Sequence, residues 1–282
     1  MTDQNTIQSA SDSKPRKPWL AGLLSLLFTG FGQIYNGQWK KGVGFFVAEW
    51  VYSLAMIPFW SDFVSTLLCL AILLGFNVFV AWEAFASAKR LREFSPGPWN
   101  RWWVYALCLC VSLASGLVFD HLMSQSYEAY KAPSGSMLPT LKIGDHFIVE
   151  TLALDYAVKR GDIVIFPFPE NEHVDFIKRV VGLPGETVEI RQRQVFVDDN
   201  PLEESYVQHT KTSIVPVRDD FGPLTLGAEE YFVLGDNREA SYDSRWWGPV
   251  QRVKIKAKAK YIYFPGEFES ESWADRLGVE IR

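Results

Sequence analysis

Apolar and polar positions follow two different rhythms along this chain, one before about residue 122 and another after about residue 127. Behind a polar stretch, Met1–Ser13, apolar residues run almost unbroken over Trp19–Ile34, Val43–Trp60, Phe63–Phe85 and Trp102–Phe119. Each of the last three approaches the roughly 20 residues that cross the apolar core of a bilayer. Beyond Tyr127 the runs are short and rich in branched and aromatic residues, with Gly and Pro between them. They are Asp162–Phe166, Phe176–Val181, Thr187–Ile190, Gln194–Asp198 and Glu230–Leu234. That is the pattern of strands joined by turns, and no long amphipathic helical pattern follows residue 125. A short helix is expected around Ala274–Leu277 in the polar C-terminal tail. The pattern predicts a disordered tail (1–18), an α-helical membrane region (19–122) and a mostly-β soluble domain (123–282).

Basic residues beside the apolar runs orient them, because Lys and Arg favour the cytoplasmic side. Lys40 and Lys41 precede the second run, Lys89, Arg90 and Arg92 follow the third, and Arg101 precedes the fourth. With all of these cytoplasmic, spans at about 43–60, 63–85 and 102–122 cross out, in and out, and deliver the β-rich domain to the far side. The first run has Lys14, Arg16 and Lys17 before it and Lys40 after it, so it is expected not to cross. Its glycines, Gly22, Gly30 and Gly32, suit an interfacial or re-entrant helix over about 19–35. The run has the charged and apolar parts of a signal peptide, but Gly-Phe-Gly-Gln-Ile-Tyr-Asn offers no small-x-small cleavage site, so it is expected to be retained. Glu49, Asn77 and Glu83 lie in or near spans, where acids are often functional. The plainer reading puts Glu83 at the cytoplasmic headgroups and Glu49 against a neighbouring helix.

A net charge of -5 argues against a general nucleic-acid binder. All three cysteines, Cys69, Cys108 and Cys110, fall in apolar runs, so the β-rich domain has no disulfide and no thiolate metal site. The four histidines are scattered without ligand spacing, so neither a metal nor another cofactor is expected.

Three blocks of the β-rich part carry chemistry: Pro133-Ser-Gly-Ser-Met-Leu-Pro-Thr140, Phe176-Ile-Lys-Arg-Val-Val-Gly182 and Gly235-Asp-Asn-Arg-Glu-Ala-Ser-Tyr-Asp-Ser-Arg245. Amide hydrolysis needs a nucleophile, a base for its proton and donors for the oxyanion. The histidines are poorly placed for the base, but a neutral lysine can replace one. Lowering a lysine from about 10.4 by about 3 units costs roughly 4 kcal/mol, and burial among apolar groups supplies such a shift. Lys178 sits in a strand-like run with one face expected to be buried, and Arg179 should point to the other face.

In this order, after a membrane span, the blocks closely resemble type I signal peptidase (leader peptidase) over about residues 127–265. The resemblance implies an antiparallel β peptidase domain with Ser136 as nucleophile and Lys178 as general base. It further implies an oxyanion hole of the Ser134 hydroxyl and the Ser136 backbone amide. Ser241 would hydrogen-bond the lysine, and Asp243 and Arg245 would form a bracing ion pair. Leu141-Lys-Ile-Gly-Asp145 would leave the nucleophile segment, with Asp145 structural, and Gly161–Phe166 would line the cleft. A small apolar pocket would select Ala-x-Ala before the cut, with Ala132, Leu141 and Ile177 as candidate liners by position.

The chain departs from the pattern in having Glu239-Ala240 where Asp-Asn is frequent, a small β cap at about 187–230, and a larger membrane region. Residues 19–89 loosely resemble a family of small membrane domains of unclear role. The implied function is removal of signal peptides from exported preproteins at the bacterial inner membrane, with the catalytic domain periplasmic. The partners are signal peptides and the bilayer, with no nucleic acid. The rivals are a Ser-Lys peptidase dedicated to one secreted partner, and a non-enzymatic membrane scaffold carrying a degenerate peptidase.

Overall fold

The computed structural model describes residues 15–91, 93–209, 214–266 and 273–282. Most of the expected disordered tail lies outside the described residues, as do Lys14 and Arg92 of the basic flanks and residues 210–213 of the expected cap. Two compact units emerge: Met1–Trp60 with Val64–Met123, and Ser61–Phe63 with Ser124–Arg282.

Among the described residues five α-helices build the first unit: α1 (Pro18–Leu27), α2 (Phe31–Tyr35), α3 (Trp39–Ala55), α4 (Phe63–Arg90) and α5 (Trp102–Ser124). The first apolar run is thus two helices rather than one. It breaks at Gly30, whose φ of 89° is left-handed, a conformation glycine adopts without steric cost. A Cβ there would also lie 2.2 Å from the Gly42 carbonyl oxygen, so the turn needs a bare backbone where it meets α3.

Several polar groups buried by this fold-back find partners within it. Ser25 donates to Gln33 Oε1 at 2.8 Å, and Gln33 Nε2 donates to the Val80 carbonyl and to Glu83 Oε2, each at 2.9 Å. Glu83 also accepts from Ser87 and pairs with Lys41, so it ties α2, α3 and α4 together. Among the described residues, α4 (28 residues) and α5 (23 residues) are the two helices long and apolar enough to cross a membrane. α3 is shorter at 17 residues, or about 26 Å. The remainder of the expected 43–60 run turns into a 3-10 segment, Ile57–Ser61, around Pro58, which cannot donate the backbone hydrogen bond an α-helix requires there.

The second unit holds the strands β1 (Tyr127–Lys131), β2 (His146–Thr151), β3 (Ile163–Phe168), β4 (Asn171–Gly182), β5 (Thr187–Arg191), β6 (Gln194–Val197), β7 (Asn200–Pro201), β8 (Phe221–Thr225), β9 (Glu230–Leu234), β10 (Val250–Gln251) and β11 (Ala257–Phe264). They form a seven-stranded sheet of order β1-β2-β11-β3-β4-β9-β10 and a four-stranded sheet of order β7-β6-β5-β8. Every pairing between them is antiparallel. Apolar helices followed by an antiparallel β domain is the class the pattern predicts. The C-terminal helix expected at Ala274–Leu277 is found one residue earlier, as Trp273–Arg276.

β3 lies at the centre, with Ile163 and Ile165 in one core cluster and Val164 and Phe166 in another. Burial on both faces explains why this strand reads as a continuous apolar run rather than an alternating one. Its partner β4 pairs Val164 with Lys178 and Ile163 with Arg179, and on its other edge β4 pairs Arg179 with Leu234 of β9. The block that begins at Gly235 therefore starts beside the lysine strand. The segment carrying Ser136 leaves β1, at the edge of the same sheet.

Candidate active site

Ser136 sits in a single 3-10 turn, Gly135–Met137, entered from an extended Ser134. The turn is anchored from below by Met137, 1 % exposed, which packs with Ala132 and Leu141 in the core beneath β2 and β11. It is anchored from the side by Asn237, whose Nδ2 donates to the Gly135 carbonyl at 3.0 Å and whose backbone N–H donates to the Ser136 carbonyl at 3.1 Å. Gly235 is required at this junction. A Cβ there would lie 2.5 Å from the Ser136 carbonyl oxygen and 2.3 Å from Ser241 Oγ.

Lys178 Nζ donates to Ser136 Oγ at 3.1 Å and to the Ile177 carbonyl at 2.8 Å, and lies 5.1 Å from the centre of the Phe176 ring. The lysine is 4 % exposed. Burial lowers its pKa from 10.5 to about 8, against the opposing pull of Asp243 and Asp236. No carboxylate lies within ion-pair distance of it among the described residues, so desolvation prevails. Ser134 Oγ stands 3.4 Å from Ser136 Oγ, long for a hydroxyl hydrogen bond but close enough for both to face one small acceptor.

Arg179, the next residue on β4, meets the opposite fate. It is 1 % exposed and grips Asp236 through two hydrogen bonds, Nε to Oδ1 at 2.8 Å and Nη2 to Oδ2 at 2.7 Å. Thr140 donates to the same carboxylate at 2.5 Å, and the Tyr206 ring covers the guanidinium at 3.8 Å. This cluster joins the Ser136 segment, the lysine strand and the third block. A second buried pair, Arg245 with Asp243, is also bidentate at 2.7 and 2.8 Å. Asp243 Oδ2 accepts from the Gly235 N–H at 3.1 Å, and Arg245 donates to the carbonyls of Arg218 and Arg238.

Ser134, Ser136, Lys178, Asp243 and Arg245 are thus brought into one corner. Ser241 is buried there too, but its hydroxyl has no partner and no hydrogen bond joins it to Lys178. Asp145 accepts from the backbone N–H groups of Lys142 and Gly266 and pairs with Arg276, as a structural aspartate would.

Ser136 and Lys178 open onto a cavity of about 320 Å³ whose other walls include Pro133, Phe176, Ile177, Ala240 and Tyr242. Ile177 lines it, as its position suggested. Ala132 and Leu141 do not: at 2 % and 0 % exposure they belong to the core behind the cleft. Their place in the sequence beside Ser136 was a poor guide, because the 3-10 turn directs the neighbouring side chains inward. Sequence reasoning missed the Arg179–Asp236–Thr140 cluster, although all three residues lie in the quoted blocks. The signal available was that each block carries at least one polar residue with no assigned chemistry.

A hydroxyl held against a buried lysine, at the mouth of an open cleft on a β scaffold, is the equipment of a serine hydrolase that uses lysine where others use histidine. Comparison with known proteins agrees. The family described as Signal peptidase, peptidase S26 matches residues 101–264, and the chain belongs to that family. Among similar proteins, a Signal peptidase I of Leptolyngbya laminosa is 42 % identical over 146 residues, covering 49 % of this chain and 69 % of the relative. Signal peptidase I T of Bacillus subtilis is 34 % identical over 169 residues, covering 58 % of this chain and 84 % of the relative. The crystal structure of a signal peptidase I from Enterococcus faecalis aligns with 33 % identity over 36 % of this chain and 97 % of that one, with a TM-score of 0.32.

Proposed function

We propose that Ser136 and Lys178 are the nucleophile and general base with which this membrane-anchored serine endopeptidase removes signal peptides from exported preproteins. The observation that carries the assignment is the 3.1 Å contact between Ser136 Oγ and a lysine held near pKa 8. At pH 7 about one such lysine in ten is neutral and able to accept a proton, a far larger share than for a solvated lysine.

Lys178 takes the Ser136 proton as Oγ attacks the scissile carbonyl, and the resulting ammonium gives that proton to the leaving amine. The acyl-enzyme is then hydrolysed by a water that the same lysine deprotonates. The Ser134 hydroxyl and the Ser136 N–H receive the oxyanion, while the Arg179–Asp236 and Arg245–Asp243 pairs hold the strand and turn in register. The substrate's apolar helix stays in the bilayer, and its extended end adds as a strand beside the sheet edge at β1. Val174, Phe176 and Ile177 supply apolar contacts to the small residues before the cut.

The basic flanks favour α3, α4 and α5 as crossings, with α1 and α2 as a re-entrant pair, which delivers the β unit to the periplasmic face. The partners on this reading are signal peptides and lipid, and the net charge of -5 speaks against nucleic acid. The test is cleavage of a preprotein by the purified full chain in detergent, beside Ser136→Ala. The variant should lose at least about a thousandfold in rate with its fold intact. Cleavage at the wild-type rate by Ser136→Ala would overturn the assignment.

A further inference from the structure

The helical unit contains chemistry that peptide cleavage does not use. Asn77 lies near the middle of α4, about 20 Å from either end, and its amide is fixed on three sides. Thr29 donates to Asn77 Oδ1 at 2.7 Å, and Asn77 Nδ2 donates to the Leu73 carbonyl at 3.0 Å and to Glu49 Oε1 at 3.1 Å. Glu49, on α3, therefore holds one neutral donor. Lys41 pairs with Glu83 instead, and among the described residues no cation lies within ion-pair distance of Glu49. A carboxylate at mid-membrane depth without a counter-charge is costly, so this one calls for a cation.

Glu49 opens onto a cavity of about 270 Å³ whose walls combine Phe28, Phe46, Trp50 and Phe119 with Ser53, Ser112 and Ser115. Aromatic side chains lining the same cavity as a carboxylate suit an organic cation, which is attracted by the rings and the charge together. A second cavity, of about 330 Å³, shares Thr29, Phe46 and Ser112 with the first and is otherwise lined almost wholly by apolar side chains such as Ile34, Val47, Leu107 and Val111. The two chambers offer one place for a charged head and adjoining room for an apolar body.

The geometry points to an intramembrane site for a lipophilic organic cation, an ammonium or phosphonium group on an apolar body, bound by Glu49 and the aromatic side chains lining its cavity. The inference rests on reading these helices as embedded in the membrane and is independent of the roles of Ser136 and Lys178. The experiment is binding of radiolabelled tetraphenylphosphonium to the full chain in maltoside detergent, with preprotein cleavage measured on the same samples. Saturable binding near one per chain is expected, displaced by dodecyltrimethylammonium and not by dodecanol.

Glu49→Gln keeps the side chain's size and an acceptor for Asn77, and it should weaken binding at least about tenfold while cleavage continues at the wild-type rate. Trp50→Leu, which leaves the carboxylate in place, should weaken it about fivefold. Equal binding by Glu49→Gln, or equal displacement by dodecanol, would reduce the site to an apolar cavity and overturn the proposal. Absence of saturable binding would also overturn it.

Discussion

Replacing Lys178 by Met should abolish cleavage and, at neutral pH, make the protein more stable. Burial lowers the folded-state pKa of this lysine from 10.5 to about 8, so between those values the unfolded chain binds the extra proton. Wild-type stability therefore climbs as pH rises across that window, and the penalty of burying the ammonium is fully present below about pH 8. Two and a half pKa units correspond to about 3 kcal/mol. Met fills a similar volume without titrating, but it gives up the hydrogen bonds to Ser136 Oγ and the Ile177 carbonyl, a loss of about 1 kcal/mol. The variant should thus be more stable by about 2 kcal/mol at pH 7, about 5 °C in the melting of a unit this size. Near pH 10.5 the penalty has vanished and the sign should reverse, with the variant less stable by about 1 kcal/mol. The assay is thermal unfolding of the full chain in detergent at a series of pH values, followed by near-ultraviolet circular dichroism. Other titrating groups are common to both proteins and cancel in the difference. A stability difference that does not change between pH 7 and pH 10.5 would refute the claim that Lys178 is a desolvated base.

The other expectations concern the neighbours of this pair. Ser134→Ala should lower kcat by about a hundredfold and leave KM nearly unchanged, as steady-state cleavage will show; an equal rise in KM would mean that the hydroxyl binds the substrate rather than the oxyanion. Asp236→Asn strands the buried Arg179 guanidinium and should cost about 3–5 kcal/mol of stability by denaturant titration. Because Asp236 is one of two carboxylates that hold the Lys178 proton on, any folded Asp236→Asn should also titrate its base at lower pH. Ser241→Ala removes a buried hydroxyl without a partner, so its melting temperature should stay the same or rise by the equivalent of about 1 kcal/mol. A clear destabilisation would show that the hydroxyl is bonded in the working enzyme.

How legible each element was depended on how local its causes are. β3 was visible because both of its faces are buried, which leaves a continuous apolar run, and β5, β6 and β9 carry enough branched residues between turn signals to stand out. β11 was missed although Ala257, Ala259 and Tyr261 are buried and alternate with lysines. Its alternation is carried by alanine, a weak strand former, and it is flanked by neither a Gly nor a Pro turn on its N-terminal side. β1 and β8 are also hard to see, because neither fully buries a residue and so neither carries a marked apolar alternation. In the membrane region the apolar runs marked where helices lie but not where they break. The hinge at Gly30 depends on close approach to Gly42, a contact that hydropathy cannot reveal. The blocks named the side chains that meet in the cleft, whereas its lining depended on which way one 3-10 turn faces, and Ala132 and Leu141 fall in the core behind it.

Lys178 and Arg179 show why adjacent, similar charges in one block end in different states. Strand alternation sends them to opposite faces of β4, and both are almost wholly buried. Arg179 stays charged because its planar fork finds a carboxylate in matching geometry, and a guanidinium cannot give up its proton in a protein. Lys178 is offered only a hydroxyl and a carbonyl, and an ammonium loses more by desolvation than such neutral partners return. Exchanging the two residues would leave an immovable charge against Ser136 and a compact ammonium against Asp236, with no base in the cleft. The order Lys-Arg is therefore a consequence of which face meets the serine, and it could be read only once β4 had been placed between β3 and β9.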